Sequence, residues 1–73
     1  MKHWIGARVR LSGNARRRLL ESGMETEEVR VARENRVGVV IQWIREGIRP
    51  TGYLVDFSGV YMALGEEDLE AVE

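Results

Sequence analysis

Three short runs of β-branched and aromatic residues constrain the fold of this chain more than any other feature. They cover residues 37–44, 53–57 and 60–64. Such residues are enriched in strands, and only Ser58-Gly59 separates the last two runs, so a hairpin with a two-residue turn is predicted. Because turns this short join only antiparallel strands, the second half of the chain is predicted to form an antiparallel sheet.

The first half of the chain adds a strand and a short helix. Apolar residues alternate with glycine or arginine near the N-terminus, which predicts a half-buried strand. The alternating apolar residues are Ile5, Ala7, Val9 and Leu11. Asn14 is a suitable N-cap and Gly23 a suitable stop for a helix over residues 14–22. A helix of about two turns is stable only when its leucines pack inward.

Four further segments complete the predicted order of elements. The alternation of residues 28–33 predicts a short, exposed edge strand. Residues 46–52 hold the only proline and are predicted to form a loop. Residues 65–69 suit a single helical turn with acidic residues at its start, and residues 71–72 a last short strand.

Length and composition exclude several classes of protein. The 73 residues suit one domain, spanning 1–73, with a thin core. There is no cysteine and only one histidine, His3, so disulfides, thiolate sites and multi-histidine metal sites are excluded within one chain. No apolar run approaches the roughly 20 residues of a membrane span, and we expect a cytoplasmic protein without cofactor or membrane partner. His3 lies near a terminus, where disorder is the default expectation.

The order of predicted elements resembles that of SH3-like barrels. The resemblance rests on residues 6–11, 38–57 and 64–72, about two thirds of the chain. It implies a first strand, a long bent central strand, a hairpin and a helical turn before the terminal strand. The expected fold is therefore mainly β, a small SH3-like five-stranded barrel with a short helix inserted in the first loop.

Residues 38–43 and 49–55 also resemble the plasmid-borne type II dihydrofolate reductases. They share a strand ending in a tryptophan, here Trp43, and a Pro-x-Gly-Tyr turn, here Pro50 to Tyr53. That family forms a homotetramer whose central pore binds NADPH and dihydrofolate, lined by the signature Val-Gln-Ile-Tyr. The corresponding stretch, residues 60–63, reads Val-Tyr-Met-Ala, so the glutamine is absent and the tyrosine is displaced. The chain is accordingly expected to be no enzyme.

Charge is distributed unevenly along the chain. Residues 1–49 contain all 11 basic residues, whereas residues 50–73 contain six acidic residues and no base. Arg16, Arg17 and Arg18 form the densest basic cluster and are candidates for phosphate contacts. We favour a fold in which the two ends meet and their charges interleave. Nucleic-acid binding through the arginine-rich half remains the alternative.

Two sets of residues are candidates for an interaction surface. Tyr61 alternates against Val60 and Met62, so it is the aromatic residue best placed to be exposed. Val40, Gln42 and Ile44 are predicted to lie on one face of the central strand, opposite Val39, Ile41 and Trp43. A small barrel has one interior, so this second apolar row needs a helix or another subunit to cover it.

These candidates predict a non-catalytic interaction module that is homo-oligomeric, most simply a dimer. An unidentified protein partner is the other class of partner considered. Two alternatives stay open, a nucleic-acid-binding barrel and a divergent type II dihydrofolate reductase.

Overall fold

The computed structural model describes residues 2–72 of the chain. One strand is followed by two helices and then by four strands, with a 3₁₀ turn before the last. The elements are β1 (Arg8–Leu11), α1 (Gly13–Glu21), α2 (Glu27–Glu34), β2 (Gly38–Glu46), β3 (Arg49–Phe57), β4 (Val60–Leu64), the 3₁₀ turn (Glu66–Asp68) and β5 (Leu69–Ala71).

The five strands form one antiparallel sheet in the order β4-β3-β2-β1-β5. The edge strands β4 and β5 do not pair with each other, so the sheet is not closed. The predicted mainly β fold is confirmed, and so is the helix in the connection after β1. The first strand is shorter than predicted because residues 5 and 6 form a turn, which leaves Ile5 exposed.

The β3–β4 hairpin has the predicted two-residue turn. Ser58 (φ 54°) and Gly59 (φ 98°) both have positive φ, the pattern of a type I′ turn. The Asp56 carboxylate accepts a hydrogen bond from the Gly59 N–H at 2.7 Å. The turn therefore supports the register that pairs Phe57 with Val60.

The prediction of a loop over residues 46–52 is wrong, because β2 and β3 continue through this segment. They form a protruding hairpin over residues 45–51, which we call the arm. Glu46 pairs with Arg49 across the two-residue turn Gly47-Ile48. Pro50 is accommodated because the arm is a two-stranded ribbon, in which each strand has one open edge that needs no N–H donor.

The edge strand predicted over residues 28–33 is also wrong, because the segment is helix α2. The Thr26 side chain caps the helix by accepting from the Val29 N–H at 3.1 Å, and Asn35 ends it in the left-handed conformation. Glu27 and Glu28 lie in the first turn, where the helix dipole favours acidic residues. Alternating valines suggested a strand, but the helix buries Val29, Val31 and Ala32 together.

A β-bulge at Ile41 decides which residues of β2 face the core. Val40 pairs with Val55, but the next pair is Gln42 with Leu54, so Ile41 has no partner. The extra residue reverses the alternation of the strand beyond it. The predicted row of Val40, Gln42 and Ile44 is corrected accordingly, because Val40 is fully buried in the chain's own core while Gln42 is exposed.

The core lies between the inner face of the sheet and the two helices. Its largest fully buried side chains are Tyr53, Phe57, Leu11, Val9, Val31, Val40 and Val55. Ala15 of α1 and Ala32 of α2 join the same cluster, so both helices cover it. No helix within residues 2–72 is long and apolar enough to span a bilayer.

Candidate interaction surfaces

The outer face of the β2–β3–β4 meander presents apolar side chains away from the core. Directly paired residues of antiparallel strands share a face, so the registers place two cross-strand rows there. The rows are Val39, Asp56 and Tyr61, and Gln42, Leu54 and Ala63. Ile44, opposite Gly52, extends the same face toward the arm. We call these seven side chains the outer face.

The outer face brings together Tyr61, Gln42 and Ile44, which sequence reasoning had assigned to two separate surfaces. Tyr61 is 62% exposed, and Val39 is 39% exposed. Asp56 is its only charged residue, and that carboxylate is engaged with the Gly59 N–H. An apolar surface with so little charge is the type that protein interfaces bury at their centre.

The basic cluster of Arg16, Arg17 and Arg18 is divided among three different partners. Arg16 donates to the Ala32 carbonyl at 2.9 Å and thereby joins the two helices. Arg17 donates to the Asn14 side chain at 2.7 Å on the exposed side of α1. Arg18 forms an ion pair with Asp68 at 2.6 Å. Each of the three guanidinium groups therefore contacts a different partner within the chain.

The basic and acidic ends of the chain meet, as predicted, through the pairing of β1 with β5. Arg10 lies opposite Glu70 in that ladder, and Arg18 pairs with Asp68. The other ion pairs described for residues 2–72 join side chains within residues 25–36. Arg45 and Arg49, in the arm, form no ion pair with any residue in 2–72.

The N-terminal segment is anchored by a partly buried cluster of hydrogen bonds around Tyr53. The Tyr53 hydroxyl accepts from the N–H groups of Lys2 and His3, at 2.9 and 3.1 Å. It donates to the Glu66 carboxylate at 2.5 Å, and Glu66 also accepts from the Lys2 N–H. His3 is therefore ordered and only 3% exposed, contrary to the disorder expected near a terminus.

This cluster shifts the pKa values of its two acidic groups in opposite directions. The hydrogen bond from Tyr53 lowers the pKa of Glu66, and the Lys2 N–H adds to the effect. Burial raises the pKa of Tyr53, and its hydrogen bond to Glu66 raises it further. The phenol therefore remains the donor and the carboxylate the acceptor near neutral pH, which holds the N-terminal segment in place.

Both tryptophans lie beside this cluster. The Trp43 indole donates to the His3 carbonyl at 2.9 Å. The Trp4 ring lies against Trp43 with 5.9 Å between centroids and remains 70% exposed. No local sequence pattern predicts this contact, because the two residues are far apart in the chain.

An open cavity of about 230 Å³ lies between α1, β4 and the 3₁₀ turn. Its lining consists of Ala15, Arg18, Leu19, Met62, Leu64 and Asp68. We call it the seam cavity, because it occupies the gap between edge strand β4 and the turn that leads into β5. Sequence reasoning missed it, since its residues come from three separate elements.

Within residues 2–72, no cluster of three or more histidine, cysteine, aspartate or glutamate side chains is arranged to hold a metal ion. Comparison with known proteins found no matching family model, no matching curated protein and no matching solved structure.

Proposed function

We propose that the chain is a non-catalytic interaction module that associates with a second copy of itself through the outer face. The observation that carries the proposal is the cross-strand grouping of Val39, Leu54, Ala63 and Tyr61 on one face of the sheet, where Tyr61 and Val39 are exposed. A two-fold interface would set this face against its own copy. A standard interface of about 800 Å² per partner takes about one sixth of the chain's 4863 Å² of surface.

We further propose that the sheet is an open SH3-like barrel. The strand order β4-β3-β2-β1-β5 supports this, together with the bulged central strand and the 3₁₀ turn before β5. The two helices occupy the connection between β1 and β2 and cover the open side of the core. In this reading they supply the cover that a closing strand would supply in a complete barrel.

Light scattering or sedimentation across a micromolar concentration range tests the self-association. A species of twice the 8.4 kDa chain mass is expected. Tyr61→Asp places a charge in the proposed interface and is expected to yield a monomer, whereas Met24→Asp changes an exposed residue outside the outer face and is the matched control. A wild-type chain that stays monomeric throughout would overturn the proposal.

The two alternatives have direct tests of their own. A salt-dependent shift of a DNA or RNA probe at micromolar protein would support nucleic-acid binding instead. For the reductase alternative, we expect no oxidation of NADPH in the presence of dihydrofolate. Measurable turnover that is lost in Tyr61→Phe would show that the chain is an enzyme.

A further inference from the structure

The β2–β3 arm ends in an apolar side chain that the chain itself leaves in solvent. Every residue from 45 to 51 is exposed, and Ile48 at the turn is 93% exposed. Gly47 has φ 64°, and Ile48 is not in the positive region, as in a type II′ turn. The turn therefore holds Ile48 at the tip of an ordered ribbon, where it adds nothing to the core.

The seam cavity has an apolar lining that matches the chemistry of an isoleucine side chain. Four of its lining residues are apolar, namely Ala15, Leu19, Met62 and Leu64. The ion pair between Arg18 and Asp68 lies at one side and engages both charges. The cavity thus offers an apolar recess of about 230 Å³ whose polar boundary is already satisfied within the chain.

The arm and the 3₁₀ turn beside the cavity carry net charges of opposite sign. The arm holds Arg45, Glu46 and Arg49 around Ile48, a net charge of +1, and none of the three forms an ion pair within residues 2–72. Glu67 precedes the lining residue Asp68, is exposed, and also forms no ion pair within those residues. Opposite charges on two surfaces favour their approach and fix their relative orientation.

We propose that Ile48 of one copy inserts into the seam cavity of a second copy, with Arg45 and Arg49 facing the acidic 3₁₀ turn of that copy. Applied in both directions about a two-fold axis, this gives two identical arm-to-cavity contacts per dimer. The inference rests on the proposed self-association and names a contact for it that is separate from the outer face.

Sedimentation velocity over a concentration series measures the dimer dissociation constant of each variant. Ile48→Asp is expected to weaken the dimer at least 30-fold, because the charged side chain must enter an apolar cavity. Ile48→Leu should retain association within about threefold. Ile5→Asp, at another exposed isoleucine outside both surfaces, is the matched control and should behave as wild type.

A charge exchange tests the orientation with exposed residues only, so that folding is preserved. Glu67→Arg is expected to weaken the dimer about tenfold, since it sets like charges against the arm. Combining it with Arg45→Glu and Arg49→Glu should restore most of the loss. Wild-type association in Ile48→Asp, or no recovery in the combined variant, would overturn the arm-to-cavity contact.

The two proposals fail in different ways. If Tyr61→Asp disrupts the dimer while Ile48→Asp does not, the outer face is the interface and the arm contact is wrong. The reverse pattern supports the arm contact and rejects the outer face. A wild-type chain that is monomeric at all concentrations overturns both.

Discussion

The two hairpins of the sheet have turns of equal length, but only one of them packs its turn-proximal residues into the core. The β3–β4 hairpin turns at Ser58-Gly59, and Phe57 beside that turn is fully buried. The β2–β3 arm turns at Gly47-Ile48, and no residue from 45 to 51 is buried. Suitable turn residues are therefore enough to form a hairpin. The burial of its side chains determines whether the hairpin stabilises the fold or leaves its residues exposed for contacts with other molecules.

The largest expected effect on stability comes from truncating the Phe57 side chain in the β3–β4 hairpin. Phe57→Ala should cost about 3–5 kcal/mol of unfolding free energy, because it empties a fully buried aromatic site. Ile48→Ala should stay within about 0.5 kcal/mol at concentrations where the chain is monomeric, since its side chain contacts solvent. Urea unfolding followed by circular dichroism measures both unfolding free energies. Equal losses in the two variants would contradict the difference in packing between the two hairpins.

A smaller effect is expected beneath the packed hairpin at Gly38. A Cβ at this position would lie 2.7 Å from side-chain atoms of both Phe57 and Val55. Gly38→Ala should therefore cost about 1–3 kcal/mol through overpacking. Gly13→Ala, where a Cβ meets no atom within 4 Å, is the control. An unchanged melting temperature in Gly38→Ala would show that Phe57 packs more loosely than described.

Alanine substitution of the turn glycine should cost about the same stability in both hairpins, although only one hairpin is packed against the core. Gly59 (φ 98°) and Gly47 (φ 64°) both occupy the region that disfavours a Cβ. Gly59→Ala and Gly47→Ala should each cost about 1 kcal/mol, because the strain is local. Thermal melts of the two variants test this. A much larger drop in melting temperature for one variant would show that the two hairpins differ in their turns as well as in their packing.

The smallest effect is on the pH dependence of stability and concerns Tyr53, which anchors the N-terminal segment. The pKa of Glu66 is lowered in the folded chain, so its contribution is present above the ordinary value of 4.5 and is lost as pH falls through the folded value. Tyr53→Phe removes the donor to Glu66, so it should flatten the decline in stability between neutral pH and pH ~3. Parallel acid slopes for the variant and the wild type would contradict this role.

Sequence reasoning recovered what depends on local signals. Strand β4 lies at the predicted residues, and Ser58-Gly59 forms the predicted turn, because strand propensity and glycine placement act over a few residues. Helix α2 was missed because Val29 and Val31 alternate with charged neighbours, although Thr26 and Asn35 supplied cap signals at its two ends.

The candidate surface was predicted only in part. The exposure of Tyr61 followed from alternation along β4 and is confirmed. The burial of Val40 did not follow, because a bulge reverses the alternation and leaves no mark in an unbroken run of β-branched residues. The anchoring of His3 by Tyr53 joins residues 50 positions apart, and no local pattern encodes such a contact.

The contact between Trp4 and Trp43 provides an intrinsic fluorescence probe of the N-terminal segment. These are its only tryptophans, and their rings lie 5.9 Å apart on opposite sides of the junction between the N-terminal segment and the sheet. Detachment of that segment separates the rings and exposes Trp43, while the backbone signal of the sheet persists. Fluorescence and far-ultraviolet dichroism recorded together during acid titration would therefore resolve release of the segment from loss of the fold.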